Sequence, residues 1–167
     1  AGSICCNALT KALQQIDPAS EQEYAANAQK YIAALSELDS EYQTAVQTAA
    51  RRTVLFGDRF PFRYLTDDYG LTYYAAFAGC SAESEASFAT VSFLAGKVDE
   101  LSLPCVLTIE GAQHKIAETI VQNTNEKNQQ ILSMDSMQGT TSADVQNGAS
   151  YLSIMQKNLA VLQTALN

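Results

Sequence analysis

A chain of 167 residues with 47% hydrophobic content has the size of one domain, or of a domain with a long appendage, and enough apolar side chains for a sizeable core. Its formal net charge of −8 argues against nucleic acid, which wants a basic stripe, and against adhesion to an anionic bilayer, while remaining compatible with attracting cations. No apolar run approaches the ~20 residues needed to span a bilayer and nothing amino-terminal reads as a signal peptide, so a mature or truncated form is expected.

Residues 3 to 16 carry Ile4, Ala8, Leu9, Ala12, Leu13 and Ile16 at helical spacing, and Asp17-Pro18 ends the segment. Ser20 followed by Glu23 makes a capping box. Beyond it Tyr24, Ala28, Tyr31, Leu35, Leu38, Tyr42 and Val46 form one stripe with three- and four-residue steps. The spacing predicts a second helix of about thirty residues and ~45 Å, long for a compact lobe of this size, and heptad spacing leaves a coiled coil open.

Thr53 to Phe56 is a short run of β-branched and bulky apolar residues, read as a strand buried on both faces and ended by Gly57 and Asp58. Asp58 is expected to cap the next helix, with Pro61 in its first turn and Tyr69-Gly70 as its stop. The plan then recurs. Tyr73 to Ala78 reads as a strand followed by the turn Gly79-Cys80-Ser81, and Phe88, Val91, Leu94, Val98 and Leu101 give a helix. Pro104 introduces the strand CVLTI, ending at Glu110-Gly111, and a helix follows with Ile116, Ala117, Ile120 and Val121. The last strand, Gln130 to Met134, ends at Asp135, and a Gly/Thr/Ser-rich loop leads to a helix with Tyr151, Met155, Leu159, Leu162 and Leu166 on one face.

Four alternations of strand and helix, with connections long enough for crossovers, predict an α/β fold: a four-stranded parallel sheet flanked by helices and preceded by a long helix. Such sheets place ligands beyond the carboxyl ends of their strands. Asp58, Arg59, Cys80, Glu110 and Asp135 fall there, so three carboxylates and a thiol are expected on one rim. No glycine-rich phosphate fingerprint accompanies these turns, which argues against nucleotide binding. Cys5, Cys6, Cys80 and Cys105 show no C-x-x-C spacing, so a structural zinc cluster is not expected, and Cys105 reads as a buried small hydrophobe. Cys80, His114 and Asp135 come in an order that would suit a thiol hydrolase with nucleophile, base and orienting acid, but Cys80 lacks a G-x-C-x-G elbow.

Residues Phe62, Tyr64, Leu65, Tyr69, Gly70 and Leu71 resemble the aromatic helix ending in Y-G-L in the carboxy-terminal lobe of solute-binding proteins of zinc- and manganese-type ABC importers. Leu35, Leu38, Asp39 and Tyr42 are similar to the L-x-x-L-D-x-x-Y pattern of the long helix that links the two lobes in that family. The resemblance implies a helical segment over 1–50 that includes the linker, and a carboxy-terminal α/β lobe over 51–167. It implies an extracytoplasmic binding protein, periplasmic or lipid-anchored, that captures a transition-metal ion, zinc or manganese, and presents it to an ABC permease. Catalysis is not implied.

The same resemblance nominates metal ligands. Asp135, in MDSMQGT, matches the Asp that ligates the metal after the last strand, and Glu110 matches a carboxylate that orients neighbours or holds a loop. His114, the only histidine, lies four residues beyond Glu110 and reads first as a solvated residue at a helix start, with replacement of a lost metal ligand as the alternative. Arg59 stands where such proteins carry a His or Glu, and a guanidinium cannot coordinate a metal. It is expected to pair with Asp58, Glu110 or Asp135, or to bind an anion at the rim, which opens a second reading in which the cargo is a non-metal solute. A zinc site takes four ligands, so Asp135, Glu110 and His114 make an incomplete one. The family completes it from an amino-terminal lobe, and this chain is accordingly expected to be a carboxy-terminal fragment.

Overall fold

A computed structural model describes residues 2–77, 86–111 and 113–167. The chain divides into two compact units, Ala1–Thr44 and Ala45–Asn167. The first holds α1 (Gly2–Ile16), a 3₁₀ turn at Pro18–Ser20 and most of α2 (Glu21–Thr48). Pro18 stops α1 because its ring removes a backbone donor, and the Asp17 carboxylate accepts a 3.0 Å hydrogen bond from Tyr24 Oη across the turn. The apolar periodicity of α1 marks a face, not its cover: none of its residues is buried, and Ile4 is 75% exposed.

The second unit is a parallel sheet in the order β2-β1-β3-β4, formed by β1 (Thr53–Arg59), β2 (Thr72–Phe77), β3 (Cys105–Ile109) and β4 (Gln130–Met134). Between them run α3 (Arg63–Tyr69), α4 (Phe88–Leu101), α5 (Lys115–Gln122), the short α6 (Ser142–Gln146) and α7 (Tyr151–Leu166). Every residue of β3 is buried, as a central strand covered on both faces requires. Leu55 of β1 and Val106 of β3 pack with Val91, Leu94 and Val98 of α4 and Ala117, Ile120 and Val121 of α5. α7 lies on β4, β3 and β1, burying Ile154, Leu159, Leu162 and Leu166. The start of β1 is tied to the carboxyl end of α7 by Arg51 N–H donating to Leu166 O at 3.0 Å. Among the described residues no helix is long and apolar enough to cross a membrane.

The expected turn after Phe56 needs correction. β1 continues to Arg59, and Asp58 caps nothing: Phe62 holds the position before α3, without a side-chain cap, and Pro61 precedes the helix. Two causes act together. Pro61 biases Phe60 away from helical backbone, and the Asp58 carboxylate is already engaged by Arg59 N–H at 2.7 Å and Ile109 N–H at 3.4 Å. Gly57 is a strand residue whose missing side chain admits α5; a Cβ there would lie 2.7 Å from the Ala117 Cα. Near this point β1 carries a bulge: from Phe56 to Arg59 it advances three positions while β2 advances two, from Ala75 to Phe77. α6 is a second departure from the expected loop, started by a capping box between Thr141 and Asp144.

Candidate functional site

The carboxyl ends of β1, β3 and β4 open into a cleft of about 620 Å³ whose lining includes Arg59, Glu110, Asp135, Asp144 and Lys157. The sheet therefore brings Arg59, Glu110 and Asp135 together, with Asp58 alongside, as adjacent parallel strands must when each ends in a polar residue. His114 is not among the lining residues. It occupies the position before α5, half-buried, with a buried Nδ1 that has no hydrogen-bond partner among the described residues. Cys80 lies outside the described residues, as does the turn around it.

Each acid on the rim has a different degree of freedom left. Glu110 has almost none. Its Oε2 accepts from Ser136 N–H at 2.7 Å, and its Oε1 from Ser136 Oγ at 2.6 Å, Gln138 N–H at 3.2 Å and Gly139 N–H at 3.4 Å. Burial alone would raise its pKa; the hydrogen bonds from Ser136 and Gly139 outweigh it and hold the carboxyl below the ordinary range. In return the carboxylate fixes a loop in which Met137, a residue with a Cβ, is held at a φ of 64°. Asp144 uses Oδ2 to cap its own helix, accepting from Thr141 N–H at 2.8 Å and Thr141 Oγ1 at 2.6 Å.

Asp135 is held by its backbone rather than by its side chain. Asn158, buried on α7, accepts from Asp135 N–H and donates to Asp135 C=O, both at 2.8 Å. The carboxylate Oδ1 accepts from Met137 N–H at 2.7 Å, and Oδ2 has no partner among the described residues. Asn158 and Lys157 did not stand out in the sequence. The only trace of Asn158 is an amide inside the apolar stripe that includes Met155, Leu159 and Leu162, where a polar side chain must find a buried partner.

The two cations are loosely held. Arg59 Nε stands 3.8 Å from Asp58 Oδ1, and with its side chain 38% exposed this pair contributes little to stability. The Arg59 guanidinium makes no hydrogen bond to a described residue, and Lys157, exposed on α7, makes neither hydrogen bond nor ion pair to one. Three or more His, Cys, Asp or Glu residues close enough to hold a metal ion occur nowhere among the described residues. Asp135, Glu110 and His114 thus do not form a metal centre by themselves. Cys105 is buried, its thiol pushed up to about 12 by burial, which leaves it unreactive.

The fold and the sequence both have known counterparts. The family model for the zinc-uptake complex component A, periplasmic, ZnuA, matches residues 2–165. The chain belongs to the ZnuA family. A curated family relative, the high-affinity zinc uptake system protein ZnuA of Bacillus subtilis, is 27% identical over 158 residues, covering 95% of this chain and 48% of the relative. The zinc-binding lipoprotein AdcA of Streptococcus pneumoniae strain R6 is 28% identical over 146 residues, 87% of this chain and 28% of that protein. Among solved structures, the metal-dependent lipoprotein YcdH of B. subtilis superposes with a TM-score of 0.77 at 27% identity over 95% of this chain and 58% of that one. The Zn(II)-bound ZnuA-like domain of S. pneumoniae AdcA gives 0.71 at 26% identity, over 94% and 57%. This ZnuA-family chain thus spans about half the length of the B. subtilis relative, and less of AdcA.

Proposed function

We propose that this chain is the carboxy-terminal part of an extracytoplasmic solute-binding protein for a transition metal, zinc before manganese, that delivers its cargo to an ABC permease. On this reading residues 1–50 are the segment that includes the linker helix, and 51–167 are the lobe that supplies one wall of the metal site. The observation that carries it is Asp135: a carboxylate with one uncommitted oxygen, at the end of β4, its backbone fixed by a buried amide from α7. Carboxylate oxygen suits both zinc and manganese, and a preset backbone lowers the ordering cost of binding. The remaining ligands come from an amino-terminal lobe, which accounts for the absence of a three-ligand cluster among the described residues. The protein works outside the cytoplasmic membrane, lipid-tethered or free in a periplasm, as the name of the pneumococcal relative suggests for a lipoprotein. Glu110 holds the loop and does not ligate.

Calorimetric titration of the chain with zinc chloride tests this. Weak saturable binding is expected, and Asp135→Asn should lower the affinity by about tenfold, the effect of losing one charged ligand. Undiminished zinc binding by the Asp135→Asn protein would remove the proposal.

A further inference from the structure

Asp135 keeps one oxygen open because its other oxygen is tied back to its own loop. Oδ1 accepts from Met137 N–H at 2.7 Å, closing a turn over Ser136. Such a turn holds the torsion of the acid only as firmly as the N–H two residues on is itself held. Met137 sits at a φ of 64°, which a residue with a Cβ keeps only where its surroundings impose it. The imposing group is Glu110, which follows directly on the buried end of the central strand β3. Its carboxylate takes the N–H groups on both sides of Met137, that of Ser136 on Oε2 at 2.7 Å and that of Gln138 on Oε1 at 3.2 Å. Ser136 Oγ at 2.6 Å and Gly139 N–H at 3.4 Å fasten Oε1 further. Asn158 fixes the Asp135 backbone from α7, but its two bonds leave rotation about the Cα–Cβ bond free. The backbone and the carboxylate of Asp135 are therefore set by different elements.

We infer that Glu110 is a positioning residue for the cargo site: by fixing the Met137 N–H it sets the torsion of the Asp135 carboxylate, so that Oδ2 alone faces an incoming metal ion. This rests on the reading of Asp135 as a metal ligand. Partners of this kind keep a ligand in its binding geometry before the ion arrives, and their loss lowers affinity although no ligand has been removed. With four donors already on it, Glu110 has little capacity left to bind the ion itself.

Zinc chloride calorimetry on Glu110→Gln and Glu110→Asp, at a temperature where circular dichroism shows each variant folded, tests this. Glu110→Asp keeps the charge but draws it back by a methylene, so the two variants separate position from charge. Both should lose most of the roughly tenfold affinity that Asp135→Asn loses. Ser136→Ala, a milder change that removes one bond and no charge, should lose less. Placed in the Asp135→Asn background, Glu110→Gln should add no further loss, because its effect passes through that side chain. In the metal-free protein the Met137 amide should exchange faster in both Glu110 variants. A loss confined to Glu110→Gln makes the effect one of charge and overturns the inference, as does a loss that adds to Asp135→Asn or one that leaves Met137 exchange slow. Undiminished zinc affinity in both Glu110 variants also overturns it while the ligand role of Asp135 stands; undiminished affinity in Asp135→Asn removes that role, and the inference with it.

Discussion

At the amino end of β4, both oxygens of Asp99 accept from Asn125 N–H, at 3.1 and 3.2 Å, and Lys127 sits at a φ of 55° with its N–H donated to Thr124 Oγ1. At the carboxyl end, Glu110 accepts from the loop over 136–139, and Met137 sits at a φ of 64°. The two loops that border β4 thus share an outline: an acid from a neighbouring element accepts from loop backbone, one donor at Asp99 and three at Glu110, and each loop contains one left-handed residue that is not glycine. They differ in what is left over. The amino-end cleft is lined by Asp99, Glu126, Asn125, Asn128, Gln129 and Gln130 among others, with no cation, and the Glu126 carboxylate accepts from Asn128. The carboxyl-end cleft adds two cations, Arg59 beside Asp58 at 3.8 Å and Lys157, and leaves Asp135 Oδ2 open. The acids in the two linings are two against three, and what separates the ends is the pair of cations.

That comparison can be broken in stages. Gly57→Ala should do the most damage, because the new Cβ meets backbone of Ala117 that cannot swing aside. A loss of ~3 kcal/mol in thermal or denaturant unfolding is expected, with both ends of the sheet affected together. Glu110→Gln should cost about 2 kcal/mol by removing charged acceptors from three backbone donors, and amide exchange should rise over residues 136–139 while the loop around Asn125 stays protected. The same substitution should alter the acid limb of stability. Glu110 titrates below its ordinary 4.5 in the folded chain, so its contribution is present above that pH and is lost as pH falls through the lower folded value. Stability of the unmodified protein should therefore decline more steeply below pH 4.5 than that of Glu110→Gln, as followed by unfolding midpoints across an acid series. Asp99→Ala is the smallest change, about 1 kcal/mol, since both its bonds share one donor; it should loosen the Asn125 loop and leave zinc titrations as they were.

Much of the scaffold was legible because its signals are local. Cys105–Ile109 and Gln130–Met134 coincide with the strands read from the sequence, each a run bounded by a breaker or an acid. The alternation of strand and helix led to the parallel sheet, and with it the gathering of Arg59, Glu110 and Asp135 at one edge. What escaped was set by distant packing. Gly57 reads locally as a terminator, whereas here its role depends on a helix sixty residues on. Asn158 and Lys157 reach the rim from α7, and no spacing near Asp135 announces them. The Thr141 and Asp144 pair that starts α6 was readable as a capping pattern but lay in a stretch whose composition suggests loop. Sequence distance from Glu110 puts His114 near the rim; it holds the position before α5 and is not among the residues that line the cleft.

The bulge in β1 also protects the parity of the chain where it leaves the sheet. Side chains alternate strictly along a regular strand, so an odd residue added without a bulge would reverse the face of everything after it. Here the bulge absorbs the added residue: Arg59 stands opposite Phe77, two positions beyond the partner of Phe56, and so keeps the face a regular strand would give it. Removing a single position between Phe56 and Arg59 would straighten the strand and leave that pairing in place, so the charge offered to a ligand here is buffered against a one-codon deletion.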